Sequence, residues 1–403
     1  MKLLLLTPQL PYPPQQGTSL RNYHILRGLA GRHALSLLSF VEPDQPLTAD
    51  SPLHALCRRI VTVPVPQRSG RQRLWRLLVD SRPDMAHRLQ SAPFDAALRG
   101  LLAEEAFDVV QIEGIELARA LPLIRQASPA SRILFDDHNA EAELQYRNFL
   151  TDLRQPRRWP AAAYSLVQTG RLRRFERRTC QAADWVSVVS PADRAHLRRL
   201  LPALDPLVVP NSIDVTQYQV AVTDDTPRFD VVFIGKMDYR PNIDAALWFG
   251  REIWPRVLRA RPGSTWAVVG QKPHARLAWL GELPGVTVTG RVAEVQPYLA
   301  GAAVFVMPFR AGSGTRLKFI EAMAAGKAIV STTVGAEGFP VGHGREVLLV
   351  DEPATFAAAV VGLLSRPGER ARLGQAARQF AAGYDWRVVV PLFETLREWR
   401  RAG

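Results

Sequence analysis

Three short segments place cations, a carboxylate and glycines where a phosphorylated ligand could be met. The richest runs from Phe309 to Gly326. Gly312 and Gly314 let the main chain approach a ligand closely, and a helix opening near Thr315 would aim its first free N–H groups at an anion. Arg316 and Lys318 add side-chain charge, and an arginine grips phosphate through paired hydrogen bonds. Glu321 lies further along that helix among Phe319, Ile320, Ala322 and Met323, where a carboxylate suits a ribose diol. The plainer alternative is a capped helix with a salt-bridged glutamate.

The second segment holds Gly235, Lys236 and Arg240 ahead of Pro241, which favours a helix start. Two cations at that place would neutralise a leaving diphosphate, or else be solvated loop charges. The third comprises two loops of the first half. Gly17, Thr18 and Arg21 follow the first strand, and His138 and Asn139 follow Asp136 and Asp137. Gly17 and Thr18 could meet a substrate there. A histidine flanked by polar residues reads as a site residue rather than a core one. Arg21 and Asn139, in the same loops, are candidates for acceptor contact. Adjacent Asp136 and Asp137 lack the Asp-x-Asp spacing of a metal-held nucleotide site, and no His, Cys and carboxylate spacing suggests a metal. No metal and no cofactor are expected.

These segments need strands and helices to hold them, and the apolar pattern supplies both. Strands are read at Leu3–Leu6, Ala34–Phe40, Val109–Ile112, Ile133–Phe135, Val186–Val189 and Leu207–Val209. A second block gives Asp230–Ile234, Trp266–Val269, Val286–Thr289, Val304–Met307 and Ala328–Ser331. Helices are read at Ser19–Leu29, Glu116–Arg125, from Glu141 to Cys180, Ile243–Leu258 and Leu317–Ala325. Continuous apolar strands alternating with amphipathic helices predict parallel sheets, so the fold class is α/β with two Rossmann-like doubly wound domains. Their carboxyl ends would line a cleft, the usual place for ligands. The join lies near Leu204–Asp214, punctuated by Pro206 and Pro210. The division is 1–207, 208–384 and a final helical segment 385–403 that would pack on the N-terminal domain.

A chain of 403 residues exceeds one ordinary domain, in keeping with two. With 47% hydrophobic and 22% charged residues it is neither disordered nor fibrous. The net charge of +13 suits phosphorylated ligands, anionic membranes or nucleic acid. Cys57 and Cys180 are too few for a disulfide framework or a zinc site. The leucine run at Leu3 to Leu6 is short for a signal peptide and is stopped by Pro8, and no run is long enough to span a membrane. A cytoplasmic protein is expected.

The chain resembles the nucleotide-sugar-dependent glycosyltransferases of the GT-B fold, in the retaining group 1 (family 4) class. The residues that carry the likeness are Val209 to Asp214, Gly235 with Lys236, Gly290 with Arg291 and Val292, and Glu321 to Gly326. It spans nearly the whole chain. The resemblance implies an N-terminal acceptor domain, a C-terminal domain for a UDP- or GDP-linked sugar, and metal-independent transfer with retention. By the same likeness Glu321 is the ribose carboxylate, Lys236 and Arg240 clamp the diphosphate, Arg291 and Val292 touch the base, and His138 lies at the reacting sugar. Ser313 stands where the family has a second glutamate, and Arg316 where it has a glycine. The implied partners are a nucleotide sugar and a sugar, lipid-linked or glycan acceptor in cell-surface polysaccharide or glycolipid synthesis.

Two arginine-rich stretches, Arg68 to Val79 and Arg154 to Arg178, have the composition of interfacial helices or of solvated ones. Contact with an anionic membrane is one reading, and nucleic acid is not expected. Two other functions share the pattern. A sugar-nucleotide epimerase would bind the same donor without an acceptor, and an idle scaffold would bind without turnover.

Overall fold

The computed structural model describes residues 1–14, 17–70, 75, 79–153, 156–312 and 314–398. The chain divides into two compact units, one formed by Met1–Ser212 with the segment from Val389 onward, the other by Ile213–Val388.

Unit 1 is built on β1 (Lys2–Thr7), β2 (Ala34–Val41), β3 (Arg59–Pro64), β4 (Val109–Glu113), β5 (Arg132–Asp137), β6 (Trp185–Val188) and β7 (Leu207–Val208). All pair in parallel in the order β3-β2-β1-β4-β5-β6-β7. The leucine run of the sequence becomes an interior strand, Leu3 pairing with Leu35 on one side and Val109 on the other. A strand buried on both faces can be apolar at every position, which is why β1 shows no alternation. Its side chains join a core with Phe40, Phe94, Ile112 and Phe135, in which the rings of Phe40 and Phe94 stack at 4.5 Å. The carboxyl ends of the strands turn polar instead: Thr7, Glu113, Asp136, Asp137 and Ser187 are all buried there.

Unit 2 is built on β8 (Phe229–Ile234), β9 (Trp266–Val269), β10 (Val286–Gly290), β11 (Ala302–Met307), β12 (Ala328–Ser331) and β13 (Leu348–Leu349), parallel in the order β10-β9-β8-β11-β12-β13. Phe249, Trp254, Trp266 and Phe356 pack as a buried aromatic cluster, Phe249 and Trp266 at 4.7 Å. Both sheets thus have the doubly wound, Rossmann-like form.

Several elements differ from the sequence reading. The edge strand β3 was not read, because Arg59 and Thr62 interrupt its apolar run. The alanine-rich helices Pro353–Ser365 and Pro367–Ala382 were also missed. The helix read at Ile243–Leu258 begins at Arg240, widens into a π turn over Phe249–Ile253 and resumes at Trp254–Ala260. Pro255 explains the defect, since it has no N–H to give the preceding turn. The stretch read as one helix at Glu116–Arg125 is a 3-10 turn, Ile115–Ala120, followed by Leu121–Ala127, with Pro122 at its start.

The boundary falls at Ser212, past the expected 207, because Val209 and Pro210 are held by an arginine of unit 1 through their carbonyls. The final segment is two short helices, Trp386–Val389 and Leu392–Glu398, separated at Pro391. Its first turn stays with unit 2, where Trp386 N–H donates to the Ile213 carbonyl. From Val389 it belongs to unit 1. The helix Gly17–Leu29 receives it at Gly28, whose missing Cβ leaves room for Val390, and His33 Nε2 lies 2.8 Å from Glu394.

Candidate functional site

In unit 2, the loop after β8 and the helix Leu317–Ala324 are drawn together by one buried amide. Lys318 Nζ donates to Asn242 Oδ1 at 2.8 Å, and Asn242 Nδ2 donates to the Lys236 carbonyl at 2.8 Å. Gly235 makes the approach possible. A Cβ there would stand 2.7 Å from Lys318 Nζ and 2.8 Å from Asn242 Nδ2. Gly270, after β9, closes on the same loop, and a Cβ on it would run into the Gly235 carbonyl oxygen. The Lys318 ammonium lies 5.2 Å from the centre of the Phe309 ring and 5.5 Å from that of Phe233. Burial lowers its pKa to about 7, with Glu321 opposing the shift and Arg316 adding to it. A cation held so weakly protonated is stabilised by any anion placed beside it.

One turn further on, Glu321 is hydrogen-bonded by the Tyr218 hydroxyl. Tyr218 ends the 3-10 turn Val215–Tyr218, capped by Asp214, which accepts from Thr216 Oγ1 at 2.6 Å. Burial raises Tyr218 far above its usual range, so it stays protonated and donates. Burial also raises Glu321, while Tyr218 and Lys318 pull it back. The result is a partly buried carboxylate three residues from a partly buried ammonium, a pairing of acceptor and cation suited to a sugar diol beside phosphate.

The other expected donor residues are placed as follows. The Lys236 side chain is half exposed, 3.8 Å from Asp238. Arg240 is exposed at the first turn of its helix, with Pro241 at the favoured early position. Arg316 turns inward: its guanidinium donates to the Val334 carbonyl at 2.7 Å and covers the Phe309 ring at 4.7 Å. It therefore holds the glycine loop in place, which differs from the expected bidentate grip on phosphate. The helix opens at Leu317, two residues later than Thr315, and Arg316 is its N-cap. Gly314 has φ +78°, and Thr315 abuts Gly338, where a Cβ would approach it to 2.6 Å. Gly290 has φ +69° and ends β10, leaving Arg291 exposed and Val292 half-buried. Ser313 lies outside the described residues.

In unit 1 the carboxyl ends of β4, β5 and β6 carry a second constellation. His138 Nε2 lies 2.9 Å from Glu113 Oε2 and 3.6 Å from Asp136 Oδ2. Glu113 also accepts from Gln111 Nε2 at 2.6 Å. Asp136 accepts twice from Arg21, at 2.7 and 2.9 Å, and once from Ser187 Oγ at 2.6 Å. Burial alone would lower the His138 pKa, but hydrogen bonds and charge from Asp136 and Glu113 outweigh it and raise it to about 9. Burial and the Asp136 charge push Glu113 up to about 6. Asp136 moves the other way: Arg21 and His138 outweigh its burial and hold it well below the usual range. The histidine is thus an imidazolium at neutral pH, oriented by two carboxylates and 15% exposed.

Arg21 has a different place from the acceptor contact expected of it. Its guanidinium is 3% exposed and also donates to the Val209 and Pro210 carbonyls, at 3.0 and 3.1 Å. It fixes Asp136 and the end of unit 1. Gly17 and Thr18 begin the same helix, Gly17 exposed and Thr18 half-buried. Asn139 Nδ2 donates to Glu141 Oε1 at 3.2 Å.

Glu113, Asp136 and His138 offer three metal-ligand atoms within 4.8 Å of one another. Their chemistry fits a metal poorly. Both Asp136 oxygens are taken by a guanidinium, and a second cation beside Arg21 and an imidazolium would be repelled. The sequence reading missed Glu113, Tyr218 and Asn242. Glu113 ends an apolar strand, a position that could have flagged it. Tyr218 and Asn242 reach the site through contacts distant in sequence, and no local pattern marks them.

Residues 228–366 match the family model described as glycosyl transferases group 1. The chain is 23% identical over 145 residues to an uncharacterized 44.6 kDa protein in the cps region of Klebsiella pneumoniae, a match covering 34% of this chain and 37% of that protein. It is 28% identical over 194 residues to phosphatidyl-myo-inositol mannosyltransferase of Mycolicibacterium smegmatis, covering 46% and 50%. The chain thus spans half or less of the length of these two relatives. Among solved structures, Anabaena Alr3699/HepE in complex with UDP superposes with a TM-score of 0.65 at 16% identity, covering 100% of both chains. Sucrose-phosphate synthase of Thermosynechococcus elongatus gives 0.71 at 18% identity, again covering 100% of both. At such identities the likeness is one of fold.

Proposed function

We propose, on the premise that the chain belongs through residues 228–366 to the group 1 glycosyl transferases and has their GT-B fold, that it moves a sugar from a nucleotide diphosphate donor to a hydroxyl acceptor. The observation that carries this reading is the Lys318–Asn242–Lys236 bridge beside Glu321 and Tyr218, all within unit 2. Glu321 accepts from the ribose hydroxyls. Lys318 and the exposed Lys236 neutralise the diphosphate, with Arg240 at the adjoining helix start and Arg291 and Val292 at the base. A uridine donor is favoured by the fold's likeness to a chain bound to UDP, and a guanosine donor is the alternative.

Unit 1 provides the acceptor side and the imidazolium of His138, which donates a hydrogen bond to a sugar hydroxyl. Thr18 and Asn139, in the post-strand loops, would meet the acceptor, and Gly17 the donor. Catalysis in this reading is positioning plus stabilisation of the departing diphosphate, with no metal and with retention at the anomeric carbon. The product is a cell-surface polysaccharide or glycolipid.

The test is a panel of UDP- and GDP-sugars incubated with the full chain and candidate acceptors, reading nucleotide release and the anomeric configuration of the product. Acceptor-dependent release with retained configuration is the expected result. Conversion of the donor sugar without any acceptor would establish an epimerase instead, and an inert panel would point to a scaffold.

A further inference from the structure

The helical hairpin of unit 1 carries an exposed stripe that neither sugar transfer nor the core uses. Its second helix, Trp159–Ala182, buries Ala162, Ser165, Gln168, Leu172, Glu176 and Thr179 on one side. The opposite stripe, at helical spacing, begins with Trp159, Ala163, Leu166, Val167 and Gly170 and continues with Arg173, Arg174, Arg177 and Arg178, all exposed. Trp159, Leu166 and Val167 are 47–58% exposed. Leu150 and Leu153, on the preceding helix Glu141–Leu153, are also exposed, and Trp159 Nε1 donates to the Leu153 carbonyl at 3.3 Å. An apolar tip of large side chains therefore leads along one face into four arginines. No acidic residue interrupts the stripe, because Glu176 is on the buried side.

We propose that this face docks on an anionic lipid surface. The occupant follows from the two halves together. A helix of this length covers about 36 Å, and among the described residues no helix is long and apolar enough to cross a membrane. Lying in the interface, it would bury Trp159, Leu166 and Val167 at the acyl boundary while the arginines reach phosphate headgroups. A second copy of the chain is a poor fit. Parallel pairing opposes arginine to arginine, and antiparallel pairing opposes arginine to leucine. A nucleic acid would satisfy the arginines and leave the apolar half in water. The segment Arg68 to Val79, expected as an interfacial or a solvated helix, lies largely outside the described residues.

The test is sedimentation of the full chain with vesicles of phosphatidylcholine alone and of equal parts phosphatidylcholine and phosphatidylglycerol. Binding is expected to the anionic vesicles and to fall as salt is raised. Arg174→Glu, Arg177→Glu and Arg178→Glu together should weaken it by at least a hundredfold, at roughly fivefold for each charge removed. Leu166→Ser with Val167→Ser should weaken it without changing its salt dependence. Thermal melts establish that these surface variants fold, and UDP or GDP binding by unit 2 is read separately, so a failed donor assignment leaves this test intact. Equal binding to both vesicles, no binding to either, or charge-reversed variants that bind like the parent would overturn the proposal. A dimer, or an RNA complex, lost in the same variants while vesicles are ignored would overturn it too.

Discussion

The Lys318 ammonium donates to Asn242 Oδ1 at 2.8 Å, tying the helix Leu317–Ala324 to the loop that follows β8. Burial leaves this lysine with a pKa of about 7, far below its ordinary 10.5. A diphosphate beside it restores the ammonium. Nucleotide binding at pH 8 should therefore take up close to one proton, measured by calorimetry in buffers of different ionisation enthalpy. Lys318→Met should abolish the uptake and weaken binding by about tenfold or more. Equal uptake in the variant would place the titrating group elsewhere.

The glycines beneath that bridge should differ in cost. In Gly235→Ala the new methyl meets mainly the ends of two side chains, so the expected loss is about 1 to 3 kcal/mol of stability, with weaker nucleotide binding. In Gly270→Ala the methyl meets the Gly235 main-chain carbonyl, at a φ of +152°, and neither side can yield without moving a strand end. Denaturant unfolding should show the larger loss at Gly270.

Arg21 and Asp136 form a buried pair whose partners depend on each other. Arg21→Met alone leaves the buried carboxylate with only His138 and Ser187 as partners and should cost about 3 to 5 kcal/mol, and Asp136→Asn, which strands the guanidinium, should cost a similar amount. The double variant should lose much less than the sum. Strict additivity in urea unfolding would mean that the pair contributes no coupling.

His138 supplies an alkaline pH dependence in unit 1. Its folded pKa is raised from 6.5 to about 9, so the protonated ring contributes stability that is fully present below pH 6.5 and is lost as pH rises through about 9. The loss should be on the order of 1 to 3 kcal/mol across that window and absent in His138→Gln. If the imidazolium is the hydrogen-bond donor to the sugar, turnover falls over the same alkaline limb. A profile flat to pH 10 would contradict this role.

Strands of unbroken apolar residues, such as Leu3 to Leu6 and Val304 to Met307, made the two sheets legible from the sequence, because burial on both faces needs no other signal. Glu321, Lys318 and Lys236 drew notice for the opposite reason: charges in a glycine-bearing loop after a strand, or on the helix that follows it, stand out against that background, and their roles on a ligand belong to the proposal. Asn242 and Tyr218 were not, since their roles come from partners 76 and, in the second case, about a hundred positions away. Arg316 and Arg21 show the limit of counting charges. Arg316 looked like a phosphate contact and Arg21 like an acceptor contact, yet both donate to main-chain carbonyls of their own unit, Arg21 to Asp136 as well, because an arginine enclosed during folding must satisfy its donors locally. The edge strand β3, with its polar interruptions, was lost to the same local reading.

The central claim is that unit 2 holds a nucleoside diphosphate with Glu321 on the ribose. Calorimetric titration of UDP and GDP into the parent chain and into Glu321→Ala tests it most directly. One of the two nucleotides should bind the parent, and the variant should bind it about tenfold or more weakly, with an unchanged melting curve in the absence of ligand. A parent that binds neither nucleotide, or a variant that binds as tightly as the parent, would contradict the account.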